Sequence, residues 1–380
     1  MSYTAHSCGQ SLARQILDIQ NYTTGRDKPL QWIANVVYLK VEQSDDSSCC
    51  SEIHPKLRPR HLYEIPADFY SEKSSYVTVS YHWATARQRD VVSPGYRVRQ
   101  QDGTCRLAIV GAQTLDRIKN YVLYRQLKGF WIDQECIDQG DRSELNAALQ
   151  SMDLLYKQSD HTLGVINVPI NTQWKLDSLA WLLSGTLFTR NTTKNTAFAD
   201  LRTIPKFWKI LRWFAALLAD PWWDRCWIFQ EEYCAPNMWL LVPCEATLTR
   251  HAHVDFGRMD NEVLISAISL RKQITRFNIA CNHSNRITHR QKQWLRKHLL
   301  DRCERYELSY SFNTQQRLTL TSLIMRDLLK RSVTKKEDLL PIAANCCNYS
   351  RRVDYDAIIG SQKPSLRVLL LAQSVLKSGM

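Results

Sequence analysis

The sequence lacks the cysteine spacing of a disulfide framework or a structural zinc site. Its 12 cysteines among 380 residues never occur as Cys-x-x-Cys, and four of them form the adjacent pairs Cys49-Cys50 and Cys346-Cys347. Two looser groups of cysteine and histidine, over 234–253 and 281–303, lack the tight paired spacing that structural zinc requires. We therefore expect a reduced protein with no metal site.

Long apolar runs and glycine-rich phosphate loops are also missing. No stretch approaches the ~18 apolar residues of a membrane span, and no basic region followed by an apolar segment marks a signal peptide. No G-x-x-x-x-G-K-[ST] motif occurs, which excludes a P-loop nucleotide switch. The 12 Trp, 16 Tyr and 10 Phe exclude a disordered chain. These absences predict a folded cytoplasmic protein without a transmembrane segment.

Acidic residues are scarce in the C-terminal part of the chain. From residue 241 onward, 23 Lys and Arg face 12 Asp and Glu, whereas the first 240 residues hold 27 against 25. Between Arg271 and Lys297 eight cations occur with no acidic residue. Such a stretch could follow a nucleic-acid backbone or an anionic lipid surface. The alternative is a solvated helix face.

Short β-rich runs alternate with helical patterns, which predicts a parallel α/β sheet. Strands are predicted over 31–41, 76–81, 130–133 and 163–168. Asp141, with Glu144 three positions later, forms a capping-box pattern that predicts a helix over 142–157. The apolar residues of this helix recur every three or four positions: Leu145, Leu149, Met152 and Tyr156.

The length suits two domains. A small polar segment at 44–51, followed by two prolines, predicts that residues 1–60 are an N-terminal extension and linker. Residues 61–245 then form the α/β domain, with a large insertion over 170–220. Residues 246–380 are predicted to be a basic, mainly helical region.

Three segments of the α/β domain resemble the fungal heterokaryon-incompatibility (HET) domain. Ser80-Tyr81-His82-Trp83 is similar to the family pattern SY-x-WG, with Ala84 in place of the glycine. Residues 131–139 read W-I-D-Q-E-C-I-D-Q, similar to W-I-D-x-x-C-I-x-Q, and residues 225–231 fit R-x-W-x-x-Q-E. Residues 338–350 are similar to a segment that follows some HET domains. The resemblance covers roughly residues 60–240.

HET domains in turn resemble TIR domains, which are flavodoxin-like sheets used in cell-death signalling. This resemblance implies a TIR-like (flavodoxin-like) fold for residues 61–245. In NAD-cleaving TIR domains a W-C-x-x-E helix carries the catalytic glutamate, and Trp227 to Glu231 is similar to it, with Ile228 where the cysteine stands. The resemblance therefore implies Glu231 as a candidate catalytic residue and NAD as a substrate, with no cofactor required.

Helix geometry adds a physical argument for Glu231. At about 100° per residue, Trp223, Trp227 and Gln230 share a stripe and Glu231 lies at its edge, whereas Glu232 points to the opposite side with Arg225. A carboxylate against indole rings is partly desolvated, so its charge acts strongly. The alternative is that the aromatic stripe is core and that Glu231 forms structural contacts or orders an interface.

Further candidates follow the predicted strands, since open α/β sheets bind ligands at the carboxyl ends of their strands. Each has a structural alternative: packing for the aromatic residues and Ser80, and turn chemistry for the aspartates. The candidate substrate-binding residues are Ser80, Tyr81, Trp83, Asp133, Asp138 and Trp227.

The family resemblance implies a role in fungal self/non-self recognition and programmed cell death, executed by NAD cleavage after oligomerisation. The implied partners are further copies of the chain or other incompatibility and NLR-type proteins. One alternative is a non-enzymatic signalling adaptor that works by self-association of the HET domain. A second alternative is nucleic-acid binding through the basic region.

Overall fold

The structure is a computed structural model. It describes residues 12–41, 60–66, 76–83, 96–159, 161–187, 189–191, 196–198, 207–250, 254–284, 287–300, 321–329, 331–359 and 364–375. The predicted linker segment 44–51 and Ala84 lie outside these residues.

The secondary structure alternates between helices and strands along the chain. The strands are β1 (Thr23–Thr24), β2 (Val37–Val41), β3 (Arg60–Pro66), β4 (Tyr76–Tyr81), β5 (Tyr96–Arg99), β6 (Cys105–Leu107), β7 (Gly129–Trp131), β8 (His161–Val165), β9 (Thr189–Asn191), β10 (Thr196–Phe198), β11 (Met238–Pro243), β12 (Glu262–Ser266) and β13 (Arg352–Val353). The helices are α1 (Leu12–Gln20), α2 (Asp27–Ala34), α3 (Ala112–Tyr124), α4 (Asp133–Cys136), α5 (Arg142–Gln158), α6 (Gln173–Leu183), α7 (Phe207–Leu218), α8 (Cys226–Cys234), α9 (Ala267–His283), α10 (His289–Leu295), α11 (Thr321–Leu328), α12 (Leu339–Cys347), α13 (Tyr355–Ile359) and α14 (Leu366–Val375).

A nine-stranded mixed sheet forms the centre of the molecule, in the order β12-β11-β8-β4-β7-β2-β3-β5-β6. Its four central strands, β11, β8, β4 and β7, run parallel. Antiparallel strands flank them, because β12 pairs antiparallel with β11 and β2 pairs antiparallel with β7. The predicted α/β class with a central parallel sheet is confirmed.

The central strand β4 is buried along its whole length, as a strand covered by helices on both faces must be. Its sequence, Tyr-Val-Thr-Val-Ser-Tyr, combines β-branched and aromatic residues that suit a buried strand. The prediction of a strand over 76–81 is confirmed. The run at 130–133 is a strand only as far as Trp131, because Asp133 begins the short helix α4.

The predicted helix over 142–157 is confirmed as α5, and Asp141 caps it by accepting the N–H groups of Ser143 and Glu144. The reciprocal half of the capping box takes a different form, since the Glu144 carboxylate accepts the N–H of Asp138 at 3.4 Å. The helix buries Ala148, Met152, Leu155 and Tyr156 against the rest of the core.

The C-terminal part of the described chain packs directly on the helix α8. The Cys226 N–H donates to the Ser332 carbonyl at 3.0 Å, and the Trp227 indole N–H donates to the Asp338 carboxylate at 3.1 Å. Further along, the Asn345 amide donates to Gln230 Oε1 at 3.1 Å. Residues 331–353, here called the C-terminal clamp, therefore contact α8 from its beginning to its middle.

The clamp is anchored on α5 by a buried cation. Arg352 is 1% exposed and donates hydrogen bonds to Asn345 Oδ1 and to the Gln150 carbonyl. Its guanidinium also lies 3.4 Å from the carboxylate of Asp153, which is buried in α5. A buried charge of this kind is stable only when it is paired and hydrogen-bonded.

Several predicted boundaries differ from the structure. The strand predicted over 31–41 is helical up to Ala34, because 27–34 form α2, and the strand predicted over 163–168 occupies His161–Val165. The insertion at 170–220 contains α6, α7 and the β9–β10 hairpin. Beyond 245 the described chain is mainly helical, as predicted, apart from β12 and β13. None of the helices in the described part combines the length and the apolar character that a bilayer crossing demands.

Candidate functional site

Two carboxyl groups from distant parts of the sequence meet at the carboxyl end of the central strands. Ser80 and Tyr81 close β4, Asp133 begins α4 immediately after β7, and Glu231 lies in the middle of α8. Asp133 lies near enough to Glu231 for its charge to raise the pKa of the Glu231 carboxyl group. The parallel pairing of β4 with β7 brings these residues together, since it aligns the two carboxyl ends.

Glu231 is buried, with only 5% of its surface exposed. The hydroxyl groups of Ser80 and Tyr156 lie near its carboxyl group and lower its pKa, and the Tyr156 hydroxyl also donates to the Val79 carbonyl at 3.4 Å. The Glu231 oxygen Oε2 is buried and has no hydrogen-bond partner among the described residues. Burial first, and then the Asp133 charge, raise the pKa of Glu231 to about 7, against the opposing effects of the Ser80 hydroxyl and the Arg225 cation. Near neutral pH this carboxyl group is thus divided between its charged and neutral forms.

A buried tryptophan orients Ser80 towards Glu231. The indole N–H of Trp222 donates to Ser80 Oγ at 3.0 Å, so the Ser80 hydroxyl proton is available for the carboxyl group. Trp222 reaches this position because Gly164 in β8 leaves space for its ring: a Cβ on Gly164 would lie 2.8 Å from the ring.

Asp133 is held in place by two N–H donors. The Trp83 indole N–H donates to Asp133 Oδ2 at 2.9 Å, and the Gln134 backbone N–H donates to Oδ1 at 2.7 Å. Burial raises the pKa of Asp133 to about 6, although Arg225 and both N–H donors act in the opposite direction.

Tyr81 and Arg225 complete the cluster. The Tyr81 hydroxyl donates to Gln134 Oε1, and burial raises the pKa of this phenol far above its ordinary value, so it stays neutral. Arg225 donates to the Tyr81 carbonyl at 3.3 Å, and its guanidinium lies over the Trp83 ring, 5.7 Å from the ring centre. The half-buried residues Trp83, Asp133 and Arg225 lie on the more exposed side of the cluster.

The structure separates two predicted site residues from this cluster. Asp138 is exposed, and its carboxylate accepts the Gly140 N–H at 2.8 Å, which is turn chemistry. Trp227 turns towards the C-terminal clamp, where it donates to Asp338. The predicted residues Ser80, Tyr81, Trp83, Asp133 and Glu231 come together, and Asp138 and Trp227 are placed elsewhere.

The predicted helical arrangement around Glu231 needs one correction. The helix α8 begins at Cys226, and Pro221–Asp224 form a separate 3-10 turn. Arg225 is therefore the residue before the helix, and its side chain turns towards Tyr81 and Trp83 instead of lying beside Glu232. Glu232 does point away from the cluster: it forms a buried ion pair with Arg271 at 2.5 Å.

Sequence reasoning missed three members of the cluster. The sequence assigns Tyr156 only to an apolar stripe, although its hydroxyl lies near enough to Glu231 to lower the pKa of that carboxyl group. Gln134 lies inside the W-I-D-x-x-C-I-x-Q pattern but had no role, and Arg225 was placed on the wrong side. The motifs contain the useful signal for two of them, because Gln134 and Arg225 belong to segments that resemble HET patterns.

The structure shows fewer exposed cations in the basic stretch 271–297 than the sequence suggests. Arg271 is 2% exposed and paired with Glu232, so it is part of the core. Arg286 lies outside the described residues. Five cations of the stretch are exposed and form no ion pair with an acidic side chain of the described chain: Lys272, Arg276, Arg290, Arg296 and Lys297.

A cavity of about 390 Å³ adjoins the cluster without including it. Gln139 and Asp338 are among its lining residues, and Gln139 donates to the Asp133 carbonyl at 3.2 Å. Glu231 and Asp133 do not line this cavity. The described residues contain no group of three or more His, Cys, Asp or Glu side chains that could hold a metal ion.

Residues 76–231 match the model of a family described as Heterokaryon incompatibility protein (HET). The match begins at the first residue of β4 and ends at Glu231. No curated protein and no solved structure matches the chain significantly. The resemblance found in the motifs is thus confirmed for this segment, and the match supports a function of the heterokaryon-incompatibility type.

Proposed function

We propose that this protein cleaves NAD at the nicotinamide bond, with Glu231 as the catalytic carboxylate of a TIR-like domain. In a fungus this activity would execute cell death after recognition of non-self. The observation that carries the proposal is the buried Glu231 carboxyl group, whose Oε2 has no partner among the described residues. An unpaired buried carboxyl group is unfavourable for folding, so a role outside folding explains it better.

The strand order supports a flavodoxin-like interpretation of residues 76–243. In chain order the parallel strands are β4, β7, β8 and β11, and in the sheet they lie in the order β7-β4-β8-β11. This corresponds to 2-1-3-4, the beginning of the flavodoxin-like order 2-1-3-4-5. Ligands of such sheets bind at the carboxyl ends of the strands beside the first strand. Ser80, Tyr81 and Asp133 lie at this edge.

The chemistry requires one well-placed carboxylate. The bond between ribose C1′ and the pyridinium nitrogen breaks, and its electron pair leaves with the nitrogen, so nicotinamide departs neutral without a general acid. The Glu231 carboxylate stabilises the remaining ribosyl cation, as carboxylates do in glycoside hydrolysis. A water oxygen then bonds to C1′ and releases its proton, for which Asp133 is the neighbouring base.

The burial of Glu231 supports regulation by self-association. With 5% of its surface exposed, Glu231 meets a substrate only after the side of the cluster formed by Trp83 and Arg225 opens. In the proposed mechanism, contact between copies of the chain, or with an NLR-type partner in the cytoplasm, opens this side. NAD cleavage should then rise more steeply than in proportion to protein concentration.

The test is release of nicotinamide from NAD by purified full-length protein across a range of concentrations, with and without a crowding agent. We expect release from the wild type, no release from Glu231→Gln, and unchanged release from Glu245→Gln, a matched control at an exposed residue. If the wild type releases no nicotinamide while Glu231→Gln still kills cells on overexpression, NAD cleavage is excluded. The protein would then be an adaptor that signals by self-association of its HET domain.

A second candidate function is nucleic-acid binding by the five exposed cations of 272–297, which form no ion pair with an acidic side chain of the described residues. Lys272 and Arg276 lie one turn apart on α9, and Arg290, Arg296 and Lys297 follow on and after α10. Binding that uses these cations should weaken with salt, with a slope of about 0.7 to 0.9 per phosphate contact. A flat salt response would exclude it, and binding to anionic vesicles but not to RNA or DNA would assign the surface to lipid.

A further inference from the structure

Arg225 is a half-buried cation beside a buried acidic site. Its side chain makes one long hydrogen bond, to the Tyr81 carbonyl at 3.3 Å, and lies over the Trp83 ring. It forms no ion pair with a carboxylate of the described residues. The indole N–H of the same Trp83 donates to Asp133 Oδ2 at 2.9 Å, so Arg225 and Asp133 contact one side chain, and the Arg225 charge lowers the pKa values of both Asp133 and Glu231.

Other arginines of the described core satisfy their charge differently. Arg271 pairs with Glu232, Arg106 pairs with Glu135, and Arg352 lies beside Asp153. Each of these guanidinium groups is neutralised by a buried carboxylate, which is the usual arrangement for a charge removed from water. Arg225 instead donates to a neutral acceptor of the described residues, the Tyr81 carbonyl.

The cluster therefore has two parts of opposite charge. Glu231 and Asp133 form an acidic floor, and Arg225 is a cation on its more exposed side. His82 adds little charge there, because burial and the Arg225 cation lower its pKa. A ligand that matches this arrangement carries a positive centre for the floor and an anionic group for Arg225.

We propose that Arg225 binds a phosphate group of the substrate, so that the site accepts phosphorylated ribosyl-pyridinium compounds such as NAD and disfavours the unphosphorylated nucleoside. This inference rests on the proposed function, because NAD joins a pyridinium ribose to a pyrophosphate. Arginine suits this task since its planar fork donates two parallel hydrogen bonds to phosphate oxygens. The Trp83 ring lies against the Arg225 guanidinium, so the N–H groups at the edge of the guanidinium can donate to the phosphate.

Binding can be measured without catalysis in a Glu231→Gln background. We would titrate ADP-ribose into full-length Glu231→Gln by calorimetry and compare the same protein carrying Arg225→Met, which keeps an unbranched stem against Trp83. We expect the dissociation constant to rise about 10- to 100-fold, which is the loss of a charge-assisted hydrogen bond. Arg367→Met, at an exposed position of α14, is the matched control and should leave the affinity unchanged.

Kinetics in the wild-type background give a second measurement. Arg225→Met should raise the KM for NAD by a larger factor than the KM for nicotinamide riboside, because the riboside has no phosphate. If Arg225→Met does not fold, Arg225→Lys keeps the charge without the fork and should raise the KM for NAD by a smaller factor. Equal KM values for NAD in the wild type and either folded variant would overturn the inference.

The outcomes separate this inference from the proposed function. If the wild type cleaves NAD and Arg225→Met binds ADP-ribose as tightly as its parent, the phosphate assignment is wrong and NAD cleavage stands. If Arg225→Met abolishes ADP-ribose binding but no variant releases nicotinamide, the phosphate assignment stands and the site binds a nucleotide without cleaving it. Failure of ADP-ribose to bind the parent protein overturns the phosphate assignment.

Discussion

Replacing Glu231 by glutamine should stabilise the protein much more at pH 8 than at pH 5. Burial raises the pKa of Glu231 from its ordinary 4.5 to about 7 in the folded state. A group whose pKa is raised by folding favours the folded state while it is protonated, and this contribution is lost as the pH rises through about 7. Ionised Glu231 therefore destabilises the folded protein above neutral pH.

The size of the effect follows from the two pKa values. A change from 4.5 to about 7 corresponds to about 3 kcal/mol, at about 1.4 kcal/mol per pKa unit. Glutamine has the shape of the protonated carboxyl group and never ionises, so Glu231→Gln removes this penalty. For a chain of this length, with an unfolding entropy of about 2 cal/mol/K per residue, 3 kcal/mol corresponds to a rise of about 4 °C in Tm.

The neighbouring residue Glu232 offers a control of opposite sign. It is buried in an ion pair with Arg271, so Glu232→Gln leaves the Arg271 charge without its counter-charge. Breaking a buried pair in this way costs about 3 kcal/mol or more. We expect Glu232→Gln to lower the free energy of unfolding at both pH 5 and pH 8, although the two substitutions are chemically identical and adjacent.

Urea unfolding of the wild type and both variants at pH 5 and pH 8 measures these differences. Because the Asp133 charge raises the pKa of Glu231, the difference between Glu231→Gln and the wild type reports the pair of carboxyl groups together. A Glu231→Gln variant that is less stable than the wild type at pH 8 would refute the reasoning. It would mean that Arg225 compensates the Glu231 charge and that the carboxylate is favourable in the folded state.

Three further predictions concern the surroundings of Glu231. Gly164→Ala should destabilise the protein by about 1 to 3 kcal/mol in urea unfolding, because its Cβ would lie 2.8 Å from the Trp222 ring. The control Gly111→Ala should be nearly neutral, because a Cβ there meets nothing within 4 Å. Asn345→Ala should lower the free energy of unfolding by about 1 to 3 kcal/mol, because it removes the hydrogen bond to buried Gln230, and an unchanged urea midpoint would contradict this. The kcat/KM for NAD should rise with pH through about 7 as Glu231 ionises, and a profile that falls between pH 6 and pH 8 would contradict the catalytic role of its carboxylate.

Local patterns predicted the elements around the site well. The strand at 76–81 is predicted by its run of β-branched and aromatic residues, and the helix over 142–157 by its apolar spacing and its capping residue. Each of these signals lies within one short segment of the sequence. The strand predicted over 31–41 was placed too early, since Gln31–Ala34 continue a helix that begins at Asp27. Apolar residues alone do not distinguish a buried helix end from a strand.

Long-range relations around the site could not be predicted from periodicity. Glu232 and Arg271 are 39 residues apart, and their ion pair depends on how α9 packs beside α8. The position of Arg225 was wrong because an ideal helix was extended through Pro221–Asp224, where the chain forms a 3-10 turn. The proximity of Glu231 to Asp133 could not be predicted either, because it depends on the order of strands in the sheet.

The C-terminal clamp has a consequence for the genetics of this protein. Residues 331–353 hydrogen-bond to α8 at Cys226, Trp227 and Gln230, close to the proposed catalytic residue. A stop codon anywhere between the end of the HET match and residue 331 would leave the sequence motifs complete but remove the support of their helix. Alleles that have lost function should therefore include changes in 331–353, and an intact set of motifs is not sufficient to identify an active allele.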